Sequence, residues 1–595
     1  MPTSGETQRG FVSEESLECI RCGFVFGPVK LYEESERLPG KERGPRPAKT
    51  NVQFGVGLTK IGIGVTGAKT LFSAMDICTP SMSNMHNTVT GVCDSMEKIL
   101  ESSLDDNRGK VRQALKLRGR EVVEGEPLPI DGIADGAYNN PSYRGVSQRA
   151  TQASLPLYET ETPAQLLVGF QFVNQLCKKG EMLRARGEEN PCPGHEGDCS
   201  VTFDPNQPIG NAEKTMGERV ALDLLRGPNP LALSGLTTDN DGKTIDGVQK
   251  TYDTMKAKYQ ALQSMKKANE HSGDAVPSTS STQDEVPGQV EGKGEPDVIG
   301  GYHIWKEGVT VRKEDCVVHV SRGQRRTVFK LRLSAQLILG KPLPSTCKKN
   351  PSQAQKIRFC HILSHALSRR CETELEVARA HFPVDDEKFI NAVTAAKNNI
   401  LDCFSGNHTK CKGVSFACKA RANDNGRYKP YHLPWKQDLC MGEGDREELM
   451  TSIEYKLSPE MIKRQRNLRS TNICEAHHLR TLKSVPKART LKRNAAGKAA
   501  SAAHSAAVGG MGESIAKISK RLGCALQRGG PGARFLSRAD SKARADKIRQ
   551  RGKGYKTTRV KTWWRKEKRK KGSGYKAQHL HPNFSKEHSY SEKRD

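Results

Sequence analysis

The chain has 595 residues and a formal net charge of +29 at pH 7. One hydrophobic core rarely organises a chain of this length, and the hydrophobic fraction of 35% is low for a wholly folded protein. No stretch approaches the roughly 18 to 20 apolar residues of a membrane span. The composition therefore excludes a membrane protein and predicts several folded units joined by linkers.

The cysteine content indicates a reducing cellular compartment. The chain has 17 cysteines, an odd number, and begins without the apolar core of a signal peptide. This usage favours reduced thiols or metal ligands over disulfides. Because the excess of basic residues also suits nucleic acid, we expect the protein in the nucleus, with the cytoplasm as the alternative.

The first 120 residues divide into a Cys-containing segment, 1–48, and a helical region, 49–120. Cys19 and Cys22 form a CxxC pair, which is half of a zinc site, and no second pair follows at close spacing. Apolar spacing then predicts helices over 58–75 and 82–104, with a break between them. Such a pair has the outline of a DNA-binding helix-turn-helix, although most helix pairs of this kind only pack together.

An α/β core is predicted over residues 121–500. Strand-like runs occur at 127–145, 166–175 and 231–239, and a helix-like segment precedes the last of them. Within this unit, residues 264–300 are rich in Ser, Pro, Gly and acids, which predicts a disordered linker. We also predict that residues 301–450 form an insertion in this core that contains a cluster of Cys and His residues.

Two groups of Cys and His residues predict structural zinc. The first group lies on a Gly/Pro-rich excursion and comprises Cys177, Cys192, His195 and Cys199. The second combines a CxxH pair with a later short-range group, and comprises Cys316, His319, His408, Cys411 and Cys418. In both cases the alternative is thiols that bind no metal.

Residues 501–595 are predicted to be a basic, largely disordered tail. From 541 to 595 there are 19 Lys and Arg against 5 Asp and Glu. Such a block gains free energy by displacing counterions from a polyanion, and interleaved aromatic rings can stack on bases. The candidate nucleic-acid contacts are Trp563, Trp564, Arg565, Lys566, Lys568, Arg569, Lys570 and Lys571.

Five short motifs occur in consistent order along the chain. They are PSMSNMHNTV at 80–89, DGAYNNPSYRG with QRATQA at 135–153, TTDND at 237–241, NHTKC at 407–411 and TNICEA at 471–476. With these motifs the chain resembles the invertebrate Mutator-like transposase domain proteins, relatives of the plant Mutator transposases. The resemblance implies an RNase H-like mixed sheet core of the DDE type.

The same resemblance implies three catalytic acids that also hold the metal cofactor. The first is Asp135 or Asp131, which lie four residues apart on one face of a predicted strand. The second is Asp239, with Asp241 as its alternate, and the third is Glu475. The chain departs from the family at His478, where members often carry Asn.

For function, the resemblance implies a cut-and-paste DNA transposase, a metal-dependent polynucleotidyl transferase. Two Mg²⁺ or Mn²⁺ ions about 3.5–4 Å apart would serve strand cleavage and strand transfer. The partners implied are double-stranded DNA, at terminal repeats and target, and further copies of the chain. The alternative is a catalytically inactive, transposon-derived DNA-binding protein stabilised by zinc.

Overall fold

The fold is taken from a computed structural model of the chain. The structure describes residues 5–39, 43–139, 142–143, 146–147, 149–188, 192, 199–239, 242–271, 299–343, 350–420, 429–486, 491–552, 554, 555, 558 and 562. No helix in this part of the chain is both long enough and apolar enough to cross a membrane.

A small antiparallel sheet opens the chain. Its strands pair in the order β1-β2-β3 and are β1 Glu6–Gln8, β2 Ser13–Glu18 and β3 Val25–Lys30. Cys19 and Cys22 lie exposed in the turn between β2 and β3. Among the described residues, no group of three metal-type ligands includes this pair.

Three helices follow: α1 Lys49–Lys60, α2 Val65–Ala74 and α3 Met82–Leu117. The single helix predicted over 58–75 is wrong, because the chain leaves the helical conformation at Ile61 and restarts after Gly64. The predicted break before residue 82 is present, and the Ser81 hydroxyl caps α3 by accepting from the Asn84 amide. The use of these helices to bind DNA stays a prediction.

A mixed six-stranded sheet forms the centre, in the order β11-β10-β4-β8-β5, with β9 paired to β8. β10 runs parallel to β4 and β11, while β8 runs antiparallel to β4 and β9. A separate two-stranded pair is formed by β6 and β7. The strands are β4 Leu128–Ala134, β5 Ala137–Tyr138, β6 Ser142–Tyr143, β7 Val146–Ser147, β8 Gln152–Glu159, β9 Leu167–Asn174, β10 Leu231–Thr238 and β11 Arg312–Asp315.

Helices cover both faces of this sheet. On one face pack α5 Ala212–Leu225 and α6 Lys243–His271, while α4 Lys178–Ala185 lies beyond β9. Burial on both faces explains why β10 is apolar along nearly its whole length. The opposite face is covered by α3 and by helices from the C-terminal part of the chain.

A helical insertion with its own hydrophobic core follows β11. Phe359, Leu367, Phe389 and Ile453 are fully buried in that core. The helices are α7 Val317–Val328, α8 Ala335–Leu339, α9 Gln353–His381, α10 Asp386–Lys397, α11 Ile400–Phe404, α12 Cys411–Val414, α13 Glu443–Leu457 and α14 Pro459–Arg464.

The chain then returns to the sheet. The remaining helices are α15 Asn472–Ser484, α16 Ala495–Ala507, α17 Met511–Arg521 and α18 Pro531–Arg551. The disordered tail predicted from residue 501 is therefore wrong as far as residue 551, because α16 and α17 bury Ala503 and Ile518 against α3 and the sheet. The mixed α/β class is confirmed, and the sheet order is compatible with an RNase H-like core.

Candidate functional site

Three parallel strands deliver polar side chains to one edge of the sheet. Asp135 follows β4 and Asp239 follows β10, and the pairing of Ile133 with Thr237 aligns these two strand ends. β11 ends beside Thr238, and its continuation supplies His319 from the first turns of α7. Because the carboxyl ends of parallel strands meet at one edge, residues distant in sequence converge here.

Helix α15 brings Glu475 to the same edge. Cys474 and His477 are buried and fix the helix on the sheet: the His477 imidazole stacks on Phe170, and its Nδ1 lies 2.9 Å from the Tyr158 hydroxyl. Residues three apart share a helix face, so Glu475 and His478 both turn towards the strand ends. His478 Nε2 lies 3.8 Å from an Asp135 carboxylate oxygen.

His319 lies between two of the acids. Its Nδ1 is 2.7 Å from Asp239 Oδ1, and its Nε2 is 3.7 Å from Glu475 Oε1. Arg322, one turn further along α7, places Nη1 3.2 Å from the same Glu475 oxygen. The Asp239 and Glu475 carboxylates thus lie on either side of one imidazole ring.

The other acids at this edge affect the Asp135 carboxyl electrostatically. Burial, and then the neighbouring carboxylates of Asp239, Glu213 and Glu475, raise the pKa of Asp135 to about 7. Hydrogen bonding to Asp239 and to the Cys316 thiol raises the pKa of His319 to about 10. Carboxylates crowded in this way favour cations between them, here a protonated imidazole and a guanidinium.

The two candidates for the first acid lie in different surroundings. Asp131 is buried and pairs with Arg312 at 2.9 Å and with Arg469 at 3.0 Å, and it accepts a hydrogen bond from the Ser234 hydroxyl. Although burial opposes it, these cations hold the pKa of Asp131 below its usual value. Asp131 therefore lies in an internal ion pair, while Asp135 faces the other acids; Asp241 lies outside the described residues.

A second chemically distinct group lies in the insertion. Cys403, His408, Cys411 and Cys418 place their ligand atoms within 4.8 Å of one another. The Cys403–Cys418 sulfur distance is 3.7 Å, and His408 Nδ1 lies 3.6 Å from Cys411 Sγ and 3.5 Å from Cys418 Sγ. A tetrahedral zinc ion with bonds of about 2.0–2.3 Å requires ligand separations of roughly 3.5–3.8 Å. These distances lie in that range and the Cys411–Cys418 sulfur distance, 3.3 Å, is slightly shorter, so the group is close to the geometry of a zinc site.

This geometry corrects the predicted ligand set. Cys403, and not the pair Cys316 and His319, completes the group with His408, Cys411 and Cys418. The CxxH pair lies instead at the carboxylate edge, where the Thr471 amide donates to Cys316 Sγ at 3.3 Å. The prediction failed because a CxxH spacing fits zinc locally, whereas the strand order carries this pair to a different place.

Buried side chains form hydrogen bonds to the Cys/His group and to the loop between two of its ligands. Arg370 donates from Nη1 to Cys403 Sγ at 3.1 Å and from Nε to Glu374 Oε1 at 2.8 Å. Glu374 also accepts from the Ser415 hydroxyl and from the Phe416 amide, so the loop between two ligands is tied to α9. Partners that orient metal ligands in this way tune the affinity of a metal site.

A third group contains the thiols of Cys177, Cys192 and Cys199, which also lie within 4.8 Å of one another. Three thiolates at this spacing could hold zinc with one further ligand. The predicted fourth ligand, His195, lies outside the described residues, as do the predicted tail contacts at 563–571.

Sequence reasoning left out several residues that the fold brings together. His319 was assigned to zinc, and Arg322 and Glu213 were not singled out, because only the strand order places them beside the acids. A side chain at Gly136, beside Asp135, would meet the Glu213 carboxylate and displace it. Cys403 could have been found, because it precedes His408 by five residues within one contiguous run of ligands.

Comparison with known proteins identifies the family of the chain. The family described as Mutator-like transposase matches residues 1–269 and 303–418, which is more than half of the chain. That match includes Asp135, Asp239 and His319, whereas Glu475 follows it. Searches of curated proteins and of solved structures gave no match. The chain belongs to the Mutator-like transposase family.

Proposed function

We propose that the protein is a DDE-type DNA transposase that cleaves DNA strands and transfers them to a target in metal-dependent steps. The observation that carries this proposal is the convergence of Asp135, Asp239 and Glu475 at one edge of the sheet. Family membership supports a transposase-type function, and the acids supply the chemistry that strand cleavage needs.

The carboxylate cluster supports the binding of divalent cations. Mg²⁺ and Mn²⁺ prefer oxygen ligands, and burial and the neighbouring carboxylates, which raise the pKa of Asp135, favour a cation beside it. Asp135, Asp239 and Glu475 would hold the ions. When bound, such ions activate an attacking water or 3′-hydroxyl and stabilise the leaving oxygen.

The neighbouring cations have a role of their own in this proposal. His319 and Arg322 neutralise Asp239 and Glu475 in the structure. If the carboxylates held metal, the imidazolium and the guanidinium would be available to the DNA. Arg322 would then bind a phosphate oxygen, as guanidinium groups commonly do.

The remaining partners follow from the same function. The Cys403, His408, Cys411 and Cys418 group would hold a structural zinc that stabilises the insertion. The DNA partner is double-stranded, at terminal repeats and at the target, and the site of action is the nucleus. Because two transposon ends must be brought together, the working form is a homo-oligomer.

Replacing Glu475 tests the catalytic proposal. Glu475→Gln keeps the size of the side chain and removes a negative oxygen ligand, so Mg²⁺-dependent nicking of terminal-repeat DNA should fall by more than about 100-fold. Glu447→Gln, at an exposed glutamate on α13, is the matched control and should nick as the unaltered protein does. DNA binding is measured beside nicking.

Two results would contradict the proposal. Unchanged nicking by Glu475→Gln would show that Glu475 has no catalytic role. No metal-dependent nicking by the unaltered protein, with DNA binding retained, would favour the inactive DNA-binding protein derived from a transposase.

A further inference from the structure

The last described helix, α18, leaves the body of the protein partway along its length. Its first half packs on α17, where Ala533, Leu536 and Ala539 are partly buried. From Ser541 to Gln550 every side chain is exposed except the partly buried Asp546. About ten residues, or roughly 15 Å of helix, therefore project into solvent.

A specific contact fixes the direction of this projection. Asp540 is buried, and its carboxylate accepts hydrogen bonds from the backbone amides of Gly512 at 3.1 Å and Glu513 at 2.8 Å. These amides open α17, so one carboxylate caps one helix and holds the next. A side chain at Gly512 would meet the Leu536 carbonyl, which explains the close approach of the two helices.

The projecting helix is strongly positive. Its two acidic residues are both engaged: Asp540 caps α17, and Asp546 forms an ion pair with Arg549 at 3.0 Å. The exposed cations of the helix are Arg534, Arg538, Lys542, Arg544, Lys547 and Arg549.

The cations surround the helix instead of forming one stripe. Arg538 and Lys542 are four residues apart and share a face, whereas Arg544 follows Lys542 by two residues and points to nearly the opposite side. A flat acidic surface would engage one of these faces only. A groove walled by phosphates on both sides engages both.

We propose that α18 inserts into the major groove of duplex DNA, with its cations contacting the phosphates of both strands. A helix 10–12 Å in diameter fits a groove about 12 Å wide. Basic helices that lie across the major groove bind DNA in this way in other protein classes. The inference rests on the proposed function for the identity of the ligand, and it assigns DNA binding to a helix remote in sequence from the three acids.

The test is a triple substitution, Arg538→Ala, Lys542→Ala and Arg544→Ala, in the full chain. All three positions are exposed and alanine favours helix, so α18 should remain folded, which circular dichroism checks. The probe is a fluorescein-labelled duplex of 40 base pairs and mixed sequence, titrated at several salt concentrations. The matched control removes two arginines and one lysine that are exposed on the insertion: Lys330→Ala, Arg332→Ala and Arg369→Ala.

The triple variant should bind the duplex at least about ten-fold more weakly, and the slope of log affinity against log salt should shrink by about 2 to 3. The control should keep both values. Protection of guanine N7 from methylation, which reports the major groove, should be present in the unaltered protein and lost in the triple variant.

Equal affinity and equal salt slope in the triple variant would overturn the role of α18, as would major-groove protection that survives the substitution. Neither result would affect catalysis at Glu475. Conversely, a Glu475→Gln protein that nicks normally but binds DNA through α18 would contradict the proposed catalytic role and leave this inference in place.

Discussion

The carboxylate cluster and the Cys/His group of the insertion are built in opposite ways. Asp135, Asp239 and Glu475 are each more than 100 residues apart in sequence. They meet because two parallel strands end at one sheet edge and helix α15 packs at the same edge. The four ligands from Cys403 to Cys418 lie within one short run of sequence. The candidate catalytic site is assembled by topology, whereas the candidate zinc site is assembled by one short segment, residues 403–418.

Individual residues of the two sites also differ in exposure. The side chains of Asp239 and Glu475 are 40% and 39% exposed, while Cys411 is fully buried. Structural zinc sites are closed by four protein ligands, whereas catalytic metal sites keep positions open for substrate. We therefore predict that removal of zinc should unfold the insertion, whereas removal of metal from the carboxylate cluster should abolish DNA nicking without unfolding.

The largest expected effect is loss of zinc from the insertion. Cys411→Ser removes a fully buried ligand, so one equivalent of zinc should be lost and thermal unfolding should occur about 10 °C lower or more. Elemental analysis and calorimetry measure the two changes. Cys440→Ser, at a partly exposed cysteine outside the group, is the control. Unchanged zinc content in Cys411→Ser would rule out zinc binding by this Cys/His group.

The next effect compares the two candidates for the first acid. Asp135→Asn should lose more than about 100-fold in nicking, with stability unchanged or raised because carboxylate repulsion is relieved. Asp131→Asn should instead lower the free energy of unfolding by roughly 2 kcal/mol, since Arg312 and Arg469 lose their shared partner. Urea unfolding and nicking, measured on both variants, should give opposite patterns, and identical patterns would contradict the assignment.

A smaller effect is expected from the hydrogen bonds of Glu374, which orient Arg370 and the loop beside the candidate zinc ligands. Glu374→Gln weakens the hold on Arg370 and on the 415–416 backbone, so zinc affinity should fall about 10–100-fold without loss of the site. Competition with a chromophoric chelator measures the change. Glu376→Gln, two residues along the same helix and exposed, should leave the affinity as it was. If both variants bind zinc equally well, Arg370 does not tune the centre.

How much the sequence could predict differs between these regions for a physical reason. Asp239 directly follows a buried strand, and Cys411 and Cys418 are near neighbours, so local pattern suffices for both. His319 could not be placed, because its position depends on β11 pairing in parallel with β10 more than 70 residues away. The helices after residue 495 were missed because small residues such as Ala499 and Ala503 form a core without a strong apolar signal.

The smallest effect at neutral pH should come from a buried histidine that belongs to neither candidate metal site. Replacing it distinguishes loss of zinc at acid pH from unfolding of the core at acid pH. His504 on α16 is buried, and its Nδ1 lies 2.6 Å from the Ser514 hydroxyl. Burial first, and then the nearby charges of Lys60 and Lys517, lower the pKa of His504 to about 3.

Between that value and the ordinary pKa of about 6.5, the unfolded chain binds the proton and the folded chain does not. The contribution of His504 is therefore complete above pH 6.5 and is lost as pH falls towards 3. His504→Gln should reduce the loss of stability between pH 7 and pH 4.5, whereas His86→Gln, at an exposed histidine, should not. Urea unfolding at the two pH values, with zinc content followed in parallel, measures both. If the acid dependence of His504→Gln matches that of the unaltered protein, the loss lies elsewhere, and proton competition for the Cys/His ligands becomes its leading cause.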